Sequence, residues 1–297
     1  MNNPFYRRLI NRPRRHPRET TFSPLIRLSL VTATYGLMGI LLILPLAVIF
    51  GMAFRDGVPG YAAAISDPMT CAAIKLTFLA LIISVPVNII FGISAAWLVT
   101  RHKVPGRNIL LTLIDLPFTI SPIVSGLMFV LLFGANSLLG AFLIEHGVRI
   151  VFAVPGIILA TMFVTFPFVA RELIPVMEAI GPDEEQAAIS LGASGWAMFF
   201  RVTLPNIRWG LLYGIILCSA RAIGEFGAVS VVSGHIRGRT NTLPLHIEVL
   251  FNEYQTTAAF AVASFLTLFA LITLLIKEIV VRLAERAPQE TLTGGES

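Results

Sequence analysis

Six stretches of this sequence are apolar for longer than a buried element of a soluble domain requires. Residues 28–54, 76–100, 151–170 and 256–276 contain no charged side chain. The stretch 108–133 is interrupted only by Asp115, and 206–233 carries Arg208 near its start with Arg221 and Glu225 inside. A helix needs about 20 largely apolar residues to cross the hydrocarbon core of a bilayer. Within that core only helices and closed barrels satisfy their own backbone hydrogen bonds. The pattern therefore predicts an all-α polytopic membrane protein with about six transmembrane helices. Composition agrees, because charged residues make up 13% of the chain where a soluble domain carries about 25%.

The charges that remain sit in blocks between the apolar runs. With the N-terminus inside, sixteen of the 22 Lys and Arg residues fall on the cytoplasmic side and five on the other, Arg221 being the last one. That asymmetry predicts N-in/C-in topology. Residues 1–27 are rich in Arg and Pro and read as a disordered cytoplasmic tail that meets anionic membrane lipid rather than nucleic acid. The first apolar run exceeds the h-region of a secretory signal, about 7–15 residues, so it reads as an uncleaved anchor. The expected organisation is thus a tail at 1–27, a six-helix membrane domain at 28–281 and a cytoplasmic tail at 282–297. Cys71 and Cys218 lie in apolar surroundings without paired spacing and read as small hydrophobes. The five histidines form no ligand cluster, so no metal site is expected.

Two regions depart from plain spanning helix. In the third run, Pro117 and Pro122 stand beside Asp115, Thr119, Ser121 and Ser125. A helix broken at proline and rich in hydroxyls reads either as simply kinked or as the lining of a translocation path. The second region is the long cytoplasmic connection at 171–205. Asp183, Glu184 and Glu185 after Gly181-Pro182 mark a helix start, and Gly192 marks its end. Ser194 is placed to cap a second helix ending at Leu204-Pro205. In it Trp196, Phe199 and Phe200 recur at helical spacing, forming an apolar face for the membrane interface or for a groove on a soluble partner.

Gln186-Ala187-Ala188, three residues, Gly192, nine residues and Val202-Thr203-Leu204-Pro205 resemble the "EAA" loop of permease subunits of binding-protein-dependent ABC importers. Gln186 stands where a glutamate is usual in that family, with Glu185 adjacent, and Val202 stands for isoleucine. The resemblance continues through 190–209 and through Arg221-Ala-Ile-Gly-Glu-Phe-Gly227 to Gly238, and there it is to sulfate/thiosulfate permease subunits of the CysW type. It implies a type I ABC importer permease fold in a bacterial inner membrane and a CysT-type permease as heterodimer partner. It further implies two ATP-binding cassette subunits docked on the 171–205 loop, a periplasmic sulfate-binding protein, and alternating access. Glu185, Gln186, Ala187, Ala188, Gly192, Trp196, Phe199, Phe200, Leu204 and Pro205 would form the coupling loop.

No GxxxxGK[ST] phosphate loop occurs in the sequence, so ATP–Mg is expected on a separate subunit, with no cofactor bound and no enzyme activity in this chain. Arg221 and Glu225 are four residues apart, on one helix face. Their order is the less favourable one for an intrahelical pair, which points to a partner on another helix, with Asp115 the candidate. Two readings stand for them: a buried pair that fixes packing, or a guanidinium fork offered to a passing oxyanion. Molybdate or tungstate is the alternative cargo, and an ion-coupled secondary carrier is the alternative machine.

Overall fold

The computed structural model describes residues 24–102 and 105–293, which are almost entirely helical. The chain divides into two compact units after Val48. Helix α1 (Pro24–Ala53) lies mostly in the first unit and is exposed along most of its length. Most of the expected 1–27 tail falls outside the described residues.

The second unit is built on two long helices. After the short α2 (Gly57–Ser66), helix α3 (Pro68–Arg101) starts abruptly because Pro68 occupies its first turn and Asp67 caps it. The Asp67 carboxylate accepts the amides of Met69 at 2.9 Å and Thr70 at 3.1 Å, two donors that the first turn would otherwise leave unpaired. Helix α7 (Val154–Ile180) is the most buried of the long helices.

The two helices meet through small and polar residues, as membrane helices do in the absence of a hydrophobic drive between them. Asn88 donates to the Thr165 hydroxyl at 2.8 Å, and Ser84 donates to the Ile158 carbonyl at 3.3 Å. Gly92 lies so close to α7 that a Cβ there would come 2.6 Å from Val169 Cβ. Val85 and Ala96 then pack with Val169, Leu173 and Met177 of α7 and with Ile207, Cys218 and Ala222 of α10 (Leu204–Ile223).

Four single helices are long and apolar enough to span a bilayer, and two bent pairs bring the number to six. The first pair is α4 (Arg107–Thr119) and α5 (Pro122–Phe133), meeting at 105°. Only one of its two prolines breaks it. Pro122 forces Ser121 into an extended conformation (ψ 134) and opens α5, while Pro117 is accommodated and buried inside α4. The second pair joins the 195–223 stretch to α11 (Gly227–Ser233) at 49°, without any proline.

Outside the spans lie α6 (Leu138–Glu145) and α12 (Leu243–Asn252). The last helix, α13 (Thr256–Thr293), runs well beyond the span expected at 256–276. Its 38 residues would extend about 57 Å, nearly twice the hydrocarbon thickness.

Helix α7 also outruns its expected end. The charges Arg171, Glu172 and Glu178 mark the edge of the apolar run, but the helix continues through them to Ile180. Two of the three have partners: Arg171 pairs with Asp115, and Glu178 with Arg107. The connection to the next span is correspondingly shorter than 171–205.

Candidate functional site

The connection after α7 opens at Gly181 and folds into α8 (Asp183–Ser190), whose first turn carries Asp183, Glu184 and Glu185. Carboxylates there face the positive end of the helix dipole. The helix ends in a glycine cap. Gly192 has φ +88, a left-handed conformation strained for any side chain, and the Ala193 amide reaches back to the Ala188 carbonyl at 3.0 Å. Ser194 Oγ accepts the Ala197 amide at 3.3 Å and starts α9 (Gly195–Met198).

This second helix does not stop at Leu204-Pro205. A π turn over Phe199–Thr203 carries it directly into α10, with the Leu204 amide bonding to the Phe199 carbonyl. Pro205 lacks an N–H and its ring would crowd the carbonyl one turn back. Widening the preceding turn accommodates it, so the residue that looks like a terminator sits in the second position of a continuing helix.

The loop has two unlike faces. Gln186, Ala187 and Gly192 are exposed, and Ala188 is half-buried. Leu191 and Trp196 are 90% and 75% exposed, and Trp196 stacks on the exposed Phe200 ring at 6.0 Å. Phe199 is half-buried: its ring meets that of Phe200 edge-on at 5.2 Å, and together with Trp196 it lines an apolar pocket of about 560 Å³ beside Ile90, Ile93 and Trp97 of α3.

Glu185 lies on the opposite side and is the one buried residue of α8. Its carboxylate takes both arms of the Arg101 guanidinium, Nε at 2.7 Å and Nη2 at 3.2 Å. The Thr203 hydroxyl donates to the same carboxylate at 3.0 Å, and Arg101 Nη1 donates to the Met177 carbonyl at 2.9 Å. The residue types gave no hint of this cluster, because Arg101 read only as a charge that set orientation. Its position at the last turn of a span, level with an acidic helix start, was the available signal.

Inside the membrane segments, Arg221 pairs with Glu225 itself, Nη1 to Oε2 at 2.5 Å. The orientation rule for pairs within a helix does not govern here, since α10 ends at Ile223 and Glu225 lies beyond it. Freed from the helix, Glu225 turns back to Arg221 with one oxygen and with the other accepts the Ala228 amide at 2.8 Å, capping α11. The Glu225 side chain is 1% exposed and that of Arg221 32%.

Asp115 is not their partner. It receives two hydrogen bonds from Arg171, at 2.7 and 3.0 Å, and the Arg171 guanidinium also lies over the Phe118 ring. Thr119 and Ser121 flank the 105° break; Thr119 bonds to its own helix, and Ser121 is exposed at the start of α5 without a side-chain cap bond. The two breaks nevertheless belong together. A Cβ on Gly227 would come 2.8 Å from Pro122 Cβ, and one on Gly126 would come 2.5 Å from the Ala228 carbonyl oxygen. Two interrupted helices packed at their interruptions are a recurring way to build a path through a membrane.

Residues 88–286 match the family described as binding-protein-dependent transport system inner membrane component. The chain is 56% identical over 237 residues to the sulfate transport system permease protein CysW of Escherichia coli K12, covering 80% of this chain and 81% of that protein. It is 52% identical over 240 residues to the protein of the same name from Synechocystis (81% and 87%). It is 36% identical over 225 residues to the CysT permease protein of E. coli K12 (76% and 81%). Among solved structures, a chain of a bacterial alginate ABC transporter in complex with its periplasmic protein superposes with a TM-score of 0.72 at 18% identity. That superposition covers 88% of this chain and 95% of that one, and shows a shared fold.

Proposed function

We propose that this chain, which belongs to the binding-protein-dependent transport system inner membrane component family, is a permease subunit of an ATP-driven importer for sulfate and thiosulfate. The observation that carries the substrate is 56% identity to CysW along four-fifths of both chains. The 36% identity to CysT supports a heterodimer of two such permeases. The excess of Lys and Arg on one side of the spans supports N-in/C-in orientation in a bacterial plasma membrane, with the 171–205 connection in the cytoplasm.

In this arrangement the exposed face of the loop, Gln186 with Leu191, Trp196 and Phe200, docks on one of two ATP-binding cassette subunits. Those subunits hold ATP–Mg, and this chain supplies no nucleotide site. ATP binding draws the loops of the two permeases together and opens the outer cavity toward a loaded periplasmic binding protein. Hydrolysis resets the complex with the anion released inward. Arg221 offers the anion its free guanidinium nitrogens near the packed breaks of α4–α5 and α10–α11. Glu225 holds one nitrogen back and keeps the site from retaining a divalent anion too tightly.

The test is uptake of labelled sulfate by cells lacking this gene, with and without its restoration, challenged with thiosulfate or molybdate. Restored uptake that thiosulfate competes and molybdate does not is the expected result. Competition dominated by molybdate moves the cargo to molybdate or tungstate. Uptake that follows the membrane potential in the absence of ATP replaces the importer with a secondary carrier.

A further inference from the structure

The coupling loop meets the membrane core through one buried ionic cluster. Helix α8 is eight residues long, and Glu185 is its one buried residue. Among the described residues, side chains of α8 are hydrogen-bonded to the rest of the protein through the Glu185 cluster and through the exposed Glu184, which accepts from Asn206. The Glu185 cluster is the buried one, and it gathers four elements. Arg101 is the last residue of α3, Met177 belongs to α7, Glu185 to α8 and Thr203 to the π turn that leads into α10.

We propose that the Arg101–Glu185 pair is the linkage that passes displacement of the coupling loop to the second span, and that Arg101 and Glu185 are positioning residues for transport. The proposal rests on the importer reading above. A bidentate guanidinium–carboxylate pair resists rotation as well as separation, unlike a single hydrogen bond or an apolar contact. Both side chains are at most 10% exposed, so water does not compete for them. Back along α3 toward its middle, the helix is not free to slip. Asn88 and Gly92 lock it onto α7, so a pull at Arg101 moves two spans as one body. The outer face of the loop shares no residue with this cluster, so docking and transmission are separate. The π turn lies where the loop must yield against α10, and such wide turns recur where helices bend in use.

The arrangement also accounts for Gln186. With Glu185 anchoring the loop inward, the neighbouring position faces outward and carries no charge that the fold requires.

The experiment uses the complete importer in proteoliposomes with its binding protein, and measures labelled sulfate imported per ATP hydrolysed. Glu185→Gln and Arg101→Gln are expected to keep the ATPase subunits bound through purification while the ratio falls at least about tenfold, the scale of losing a charge-assisted hydrogen-bonded pair. Arg101→Lys, which keeps charge but not the fork, is expected to fall between. A wild-type ratio in Glu185→Gln overturns the linkage. Loss of the ATPase subunits from the purified variants also overturns it, assigning the pair to folding alone. The wild-type complex measured alongside tests the underlying reading: absence of ATP-dependent sulfate uptake there rejects the sulfate importer itself.

Discussion

The side-chain amide of Asn88 reaches from α3 to the hydroxyl of Thr165 on α7, 2.8 Å away, and Thr165 in turn donates to Thr161 one turn back at 2.6 Å. Both residues are buried, and Cys218 of α10 lies 3.7 Å from the same amide. Three spans therefore converge on one polar point in an otherwise apolar core. Asn88→Leu is expected to destabilise the folded protein in detergent by about 0.6–1.7 kcal/mol, the range for interhelical hydrogen bonds in membranes. Ser94→Ala, which removes a bond made only to its own helix, should leave the unfolding midpoint where it is.

Gly92 and Gly126 mark the closest approaches. Gly92→Val would place atoms 2.6 Å from the Val169 side chain and 3.0 Å from the Ala170 amide, and Gly126→Ala would press on the Ala228 carbonyl. Each should cost about 1–3 kcal/mol or more through forced separation of helices. Gly195→Ala meets nothing within 4 Å and should be neutral or slightly stabilising. Thermal unfolding of the three purified variants ranks them, and equal midpoints would contradict the packing described.

Removing Arg221 alone leaves Glu225 buried without its counter-charge. Arg221→Met is expected to cost about 3–5 kcal/mol and to lower the amount of folded protein in the membrane. Adding Glu225→Gln to it restores a neutral group that still accepts the Ala228 amide, and the yield should return. Sulfate uptake should stay absent in the double variant if the guanidinium meets the anion. Uptake that returned together with the yield would leave the pair a packing role only.

His246 lies outside the spans on α12, buried and in contact with the Thr70 hydroxyl at 3.1 Å. Burial pushes its imidazole below the usual range; Arg237 acts in the same direction and Asp67 against it. The folded state thus binds fewer protons here than the unfolded chain. Stability should fall as pH drops below about 6.5, the free imidazole value. The unfolding midpoint measured from pH 7.5 down to pH 5 should decline, and His246→Gln should remove part of the decline. An identical pH profile in the variant would exclude His246 as a cause.

What the residues disclosed beforehand follows from the range of each interaction. Span number and approximate position were legible because a charge-free run is a local property. Helix punctuation was legible where a single residue carries it, as with Gly192, Ser194 and Pro122. The end of α7 was not, because Arg171 and Glu178 are neutralised by Asp115 and Arg107, some 56 and 71 residues away in sequence. Pairing Asp115 with Arg221 or Glu225 failed for a related reason: the end of α10 at Ile223 changes what Glu225 can reach, and no proline announces that end. For the Arg101–Glu185 cluster no spacing rule links residues of different helices, and the place of Arg101 at a span end was the one available signal.

At a synthesis rate of about 5–20 residues per second, α5 leaves the ribosome roughly 5–20 seconds before α11, against which its glycine face packs, exists. During that interval the third span carries a right-angled bend with its close-packing surface uncovered. Such a segment has less to hold it in the bilayer by itself than the unbroken helices α3 and α7 on either side of it. The third span is thus completed only when the fifth arrives, so its insertion and its folding are separated in time. Nascent chains truncated between the fourth and fifth spans would be the ones that membrane proteases remove first.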